Sequence, residues 1–270
     1  MKPLVSFSSM LRAELYKTLR NGRILMILLS PLAIYLLLFF YVTYKGQEGL
    51  FNYTMPVYEG DPWLMLWSRY TLPFFSLFIP IAVVTLSYLI CEIEFQNDNI
   101  RALFAHPIAK WKLYLSKTSV LSLLIAIFSI LIWLCFVLGG YLLELLIPAY
   151  PFGAYAVWGP SIAVWGRAIP AMLLIGVFGL IVSLLSRNFT LPVLLALFFT
   201  VLAVFTSNEP AGKYLPFTTI TYLASPHTVA ELTAFSERDV VNLSLLGISL
   251  FIGYRCFTPE KRSLLRNHIH

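Results

Sequence analysis

Along the chain, apolar runs of about twenty residues alternate with shorter polar stretches, and that alternation predicts the elements. At 1.5 Å of rise per residue, a helix of that length crosses a hydrocarbon core of about 30 Å. The pattern places spans at about residues 24–44, 71–90, 114–142, 168–186, 190–206 and 240–257. Pro31 falls inside the first of these as a potential kink, and Pro73 and Pro80 inside the second. The third apolar run is longer than needed, and Gly139 and Gly140 are expected to loosen its end. Arg187, Asn188 and Phe189 form a tight turn between the fourth and fifth spans. The fold class expected is therefore an all-α polytopic membrane protein, one transmembrane domain over residues 1–270 with six transmembrane helices.

The polar stretches are the informative parts. Residues 91–117 carry Glu92, Glu94, Asp98, Arg101, Lys110, Lys112 and Lys117, with Phe104 and Trp111 threaded among them. That charge density marks a segment outside the lipid, able to form short amphipathic helices on the membrane or on a soluble partner. Residues 1–23 are basic, and Leu11, Leu15 and Leu19 recur at i, i+4 and i+8. This predicts an interfacial helix over residues 8–22, capped by Ser8 or Ser9 and carrying Arg12, Glu14, Lys17 and Arg20. Residues 45–70 read as a loop, and residues 143–167, poor in charge but rich in Tyr, Trp and Phe, as a layer among the headgroups. In residues 207–239, Ser225 followed by Pro226 predicts a short helix at about 226–235, with Ser225 as its cap.

Composition confirms the class. Hydrophobic residues make up 59% of the 270 and charged residues only 12%, where a soluble domain has about a quarter charged. Fourteen of the nineteen Lys and Arg residues fall on the side of the two termini and of the stretches after spans 2 and 4. The basic bias makes that side cytoplasmic, with residues 207–239 outside. Basic charge so distributed serves headgroups and cytoplasmic loops, and no nucleic-acid partner is expected.

Several chemistries find no support. No phosphate-cradling G-x-x-x-x-G-K-[ST] loop, H-E-x-x-H, G-x-S-x-G or C-x-x-C occurs. Cys91, Cys135 and Cys256 lie apart as apolar thiols, and no metal site, cofactor or catalytic residue is expected in this chain. Glu144, Arg167, Arg187 and Arg255 sit near span ends, where long side chains reach toward water. An ion-coupled pathway would need ionisable groups in mid-span.

Three features resemble the membrane subunit of a type-two ABC exporter, the permease class with six spans and no fused ATPase. One is AELYKTLRN at residues 13–21, before span 1. Another is Glu92-x-Glu94 followed by Arg101, Pro107, Lys110 and Lys117. The last is the external segment ahead of span 6, which in that class often forms a re-entrant helical hairpin. Asn97-Asp98-Asn99 departs from the Gly-Thr pair that many members carry after the two acids.

The resemblance implies a half-transporter in a bacterial cytoplasmic membrane. It implies pairing with an identical or paralogous membrane subunit and separate ABC ATPase subunits that hold the ATP and Mg. Residues 92–112 would be the coupling helix, with Glu92, Glu94, Asp98, Arg101, Phe104, Pro107, Lys110 and Trp111 at the ATPase. Few buried charges and aromatic external loops favour an amphipathic, peptide or lipid-like cargo. Two further readings stand beside it: a membrane anchor in an ABC-type envelope machine doing mechanical or assembly work, and an intramembrane enzyme, which would need paired Glu or His within spans.

Overall fold

The computed structural model describes residues 6–47, 60–95, 110–225 and 227–257, without the side chains of 93–95. Every regular element among the described residues is helical. Helix α1 (Phe7–Leu19) is capped by Ser6, whose side chain accepts from Ser9 N at 3.2 Å. The cap thus lies upstream of the expected Ser8 or Ser9. Its buried positions are Met10, Glu14 and Thr18, whereas Leu19 is exposed. The packed face is therefore rotated by one residue from the leucine stripe, because a polar partner for Glu14 lies under it.

The chain breaks at Asn21, whose Oδ1 accepts from Arg23 N at 3.1 Å, and restarts as α2 (Gly22–Gln47). The buried positions of α2 are Ile24, Leu28, Pro31, Tyr35, Leu38, Val42 and Gly46. Their alternating spacing of four and three is a seam of the coiled-coil kind, and it faces α5 (Lys110–Leu146). The opposite side of α2 presents Leu25, Leu29, Leu36 and Phe40 outward.

Asp61 caps α3 (Pro62–Met65), accepting from Trp63 N at 2.8 Å, with Pro62 at the first turn. The helix continues through a π-helical turn, Leu66–Thr71, into α4 (Leu72–Phe95). Leu72 N donates to Trp67 O, five residues back. Pro73 supplies a reason: it has no N–H to give Arg69 O, and its ring crowds that carbonyl, so the wider turn absorbs the conflict. The expected loop over 45–70 thus becomes helix from Pro62 onward. Likewise α6 (Trp158–Ser186) begins ten residues ahead of the expected span, inside the stretch read as a headgroup layer.

Gly139 and Gly140 do not loosen α5, which continues to Leu146. A Cβ on Gly139 would stand 2.6 Å from the Tyr35 ring, and one on Gly140 would collide with Trp63. Both glycines therefore let aromatic rings reach the helix backbone. Beyond α5, Trp63 Nε1 donates to Phe152 O at 2.8 Å and Gly153 N to Glu144 at 2.9 Å, closing this end of the bundle.

Helices α4 and α6 form the centre. Ser87 Oγ donates to Gly176 O at 2.8 Å, and a Cβ on Gly179 would lie 3.1 Å from Val84 Cα. Lipid is as apolar as leucine, so close backbone approach and hydrogen bonds of this sort hold helices together there. Arg187 ends α6 in the left-handed region (φ 51°), and α7 (Thr190–Thr206) returns against α4. Two short helices follow, α8 (Thr218–Leu223) and α9 (Val229–Thr233), then α10 (Glu237–Phe257), which packs on α6. The cap of α9 is Thr228, in a reciprocal capping box with Glu231, rather than Ser225. Pro226 lies outside the described residues.

Among the described residues, five helical stretches are long and apolar enough to cross a bilayer: Gly22–Gln47, Pro62–Glu92, Lys110–Leu146, Trp158–Ser186 and Val229–Cys256. The sixth apolar helix, α7, has seventeen residues, the lower limit for a span. The chain is an integral membrane protein.

Candidate functional site

Two buried polar junctions lie at opposite ends of the bundle. At the first, α1, the start of α2, the end of α4 and the start of α5 converge. Glu14 projects from the packed face of α1, and Lys117 from the buried stripe of α5 that includes Leu113, Tyr114, Val120 and Leu121. Lys117 has no exposed surface and Glu14 is 5% exposed. Lys117 Nζ stands 3.2 Å from Glu14 Oε2 and 3.4 Å from Ile90 O, while Lys17 Nζ reaches Glu14 Oε1 at 3.0 Å. Burial alone would push the Glu14 carboxyl up. The ammonium groups of Lys117 and Lys17 outweigh it and hold the carboxyl below its ordinary value. One carboxylate thus joins α1, α5 and, through the Ile90 carbonyl, α4.

A second bond crosses the same junction. Arg23 Nη1 donates to both oxygens of Glu92 at 2.9 Å, tying α2 to the last turns of α4. Glu92 is therefore engaged within the chain. Glu94 lies in the same helix end, its side chain outside the described residues. Asp98, Arg101, Phe104 and Pro107 also lie outside them. Lys110 opens α5 half-buried, and Trp111 is half-exposed with Lys112 Nζ 5.8 Å from its ring centre. On α1, Arg12 is exposed, Lys17 half-buried, and Arg20 exposed with Nη1 donating to Tyr16 Oη at 3.2 Å. The structure thus brings together Glu14, Lys17, Arg23, Glu92 and Lys117, and leaves Arg12, Arg20 and Trp111 on the surface around them.

At the opposite end, Arg167 and Asp239 are 6% and 5% exposed and meet at 3.0 Å. Arg167 Nη1 donates to the carbonyls of Glu231 and Leu232, and Nη2 to Ser236 Oγ at 3.1 Å. Arg238 gives its guanidinium to Thr218 O and Ser207 O and lies 4.2 Å from the centre of the Tyr222 ring. Asn242 and Thr219 bond directly across the interface of α10 and α8. This network clamps α8, α9 and the preceding turns onto α6 and α10. Arg167 was expected to reach toward water from a span end. It is instead enclosed, because α6 extends nine residues beyond it and α9 folds over it.

Lys117, Arg167, Arg238 and Asp239 escaped sequence reasoning as a buried set. For Lys117 and Arg167 the available signal was spacing, since each stands three or four residues from apolar positions of a packed stripe; Arg238 and Asp239 carried no such signal. Among the described residues, no three His, Cys, Asp or Glu side chains cluster to hold a metal ion. The first junction has the form of a mechanical linkage, with four helix ends joined by charge.

The profile of the family described as ABC-2 family transporter protein matches residues 10–203. That stretch runs from α1 through most of α7 and includes the first junction whole. No curated protein matches the chain. No solved structure matches it either.

Proposed function

The chain belongs to the ABC-2 family of transporter proteins, and from that premise we propose that it is the membrane subunit through which separate ABC ATPase subunits move cargo across a bacterial cytoplasmic membrane. ATP and its Mg reside in the partner. The partner docks on residues 92–112, on the cytoplasmic side with both termini, and all six apolar helices span. A second membrane subunit, identical or paralogous, completes the translocation unit. The cargo is amphipathic, of peptide or lipid-like chemistry, and it is exported.

The observation that supports this reading is the charge-linked junction of α1, α2, α4 and α5, the last two being the helices that residues 96–109 connect in the chain. A docked motor can drive a lipid-embedded bundle only through elements that move as a body. Glu14–Lys117 and Arg23–Glu92 fasten the four helix ends that flank the docking segment, so displacement there is passed to the spans without slack. The exposed Arg12, Arg20 and Trp111 form the rim against which an ATPase seats, and Glu94, Asp98, Arg101, Phe104, Pro107 and Lys110 of the docking segment are its further candidate contacts.

The test is ATP-dependent transport. Inverted membrane vesicles carrying the chain and its ATPase should accumulate a fluorescent amphiphile with ATP and not with a non-hydrolysable analogue. ATP turnover without accumulation of any amphiphilic or peptide probe would favour a mechanical anchor of an envelope machine over export.

A further inference from the structure

We propose that a cleft beside α6, centred on Gly166, binds an amphiphile with an uncharged, hydroxyl-bearing head; the inference rests on the transporter reading above and names its cargo class.

Gly166 is the meeting point of two cavities. One, of about 250 Å³, lies between α6 and the α9–α10 corner and is lined by Arg167, Asp239, Asn242 and Phe235. The other, of about 270 Å³, is an open apolar groove between α5 and α6, lined by Ile130, Trp133, Ile162, Trp165 and Ile169. Gly166 borders both, and a Cβ there would meet nothing within 4 Å. The absent side chain is what joins a polar chamber to an apolar one.

One buried polar group at this seam lacks a partner, and one exposed backbone group has lost its helical donor. Pro170 stands four residues after Gly166 and has no N–H, so the Gly166 carbonyl loses its helical donor. Trp165 is 6% exposed, and its indole N–H finds no acceptor among the described residues. A backbone carbonyl without its helical donor and an unpaired indole N–H are each costly at the edge of hydrocarbon. A hydroxyl both donates and accepts, and so suits a carbonyl and an indole N–H on adjacent residues of one cavity lining.

Charge narrows the class. Among the described residues, the only ionised groups lining either cavity, Arg167 and Asp239, neutralise each other at 3.0 Å. A cationic or anionic head would enter without a counter-charge, at a penalty an uncharged head avoids. Depth agrees as well. Arg167 lies nineteen residues before Ser186 on α6, about 29 Å along the axis, which spans a hydrocarbon core of about 30 Å. With Ser186 at one boundary, the polar chamber sits at the other, where headgroups begin. The groove at Ile130, Trp133 and Ile169 then receives the tail.

The test uses an alkyl maltoside bearing a diazirine near the end of its chain. It is photolysed with the full chain, in its complex as purified, in phosphatidylcholine nanodiscs, and labelled peptides are mapped by mass spectrometry. Labelling is expected to concentrate in residues 129–133 and 162–169. Gly166→Leu should lower it about fivefold or more, and Gly159→Leu, an equally open glycine outside both linings, should not. Ile162→Trp, which fills the groove from an exposed position, serves as the second blocking variant should Gly166→Leu elute as aggregate. Unlabelled decyl maltoside should compete, and decyl sulfate and decyltrimethylammonium at equal concentration should not. Labelling spread evenly over the outward faces and indifferent to both blocking variants, or equal competition by the charged amphiphiles, overturns the proposal. Labelling is read on this chain directly, so it can fail while the ATPase partner still co-purifies. In that case the cleft is lost and the transporter reading stands.

Discussion

Replacing Glu14 by Gln removes the carboxylate beneath α1 and takes the opposite charge from the Lys117 ammonium, which has no exposed surface. At 3.2 Å, with an effective dielectric constant of about 20, the gross attraction lost is about 5 kcal/mol. Part of it was already spent on desolvating the two groups. Measured losses on breaking one side of a buried pair are about 3–5 kcal/mol, because the remaining charge is left uncompensated. Lys117 retains a contact to Ile90 O at 3.4 Å, so a loss at the low end of that range, about 3 kcal/mol, is expected. The double variant Glu14→Met with Lys117→Met removes both charges and should regain most of that stability, since an apolar pair of similar volume is often neutral or better. Unfolding by SDS titration in mixed micelles, followed by helical circular dichroism, reads both effects. The reasoning is refuted if Glu14→Gln unfolds within about 0.5 kcal/mol of the parent, or if the double variant is as unstable as the single one. In the transport assay the double variant should fold yet turn over ATP with reduced accumulation, because the bond that passes motion from α1 to α5 is gone.

The same carboxylate sets a pH dependence. Its folded value lies below the ordinary 4.5, so its contribution is complete above that value and is lost as pH falls through the folded one. SDS resistance of the parent should decline below about pH 4.5, and that of the Glu14→Met/Lys117→Met variant should lack this step. Arg23→Ala should cost no more than about 1 kcal/mol, since Arg23 is largely in solvent; a larger loss would mean that the Arg23–Glu92 bond is shielded. Gly179→Ala places a methyl 3.1 Å from Val84 Cα, where backbone must yield. A cost of about 1–3 kcal/mol is expected, against none for Gly159→Ala, and equal stability of the two would show that α4 and α6 are not in close approach.

How much of this was legible in the chain differs by feature. The apolar runs announce an all-helical membrane protein, because a backbone in hydrocarbon has to satisfy its own hydrogen bonds. Helix ends were harder to read. Trp63 and Trp67 look like interfacial residues, yet they pack in the core because Gly140 opens α5 to the Trp63 ring. Thr228 and Glu231 form a capping box that competes with the more conspicuous Ser225 and Pro226. Glu14 was legible as a candidate, but its partner lies 103 positions away, and no local pattern names a partner at that distance. Arg167 and Asp239 looked like separate charges at span ends. Only the packing of α10 on α6 brings them together.

The central claim is that a separate ATPase grips the junction end of this bundle. Trp111 is half-exposed there, and a single Trp111→Cys variant, with the native cysteines replaced, carries a short thiol-reactive photocrosslinker into native membranes. The account predicts one dominant adduct with an ABC ATPase, in step with stoichiometric co-purification of that subunit, and none from the same probe at Phe235→Cys on the opposite end. Purification without any nucleotide-hydrolysing subunit, or an ATPase adduct from position 235 and not from position 111, would contradict it.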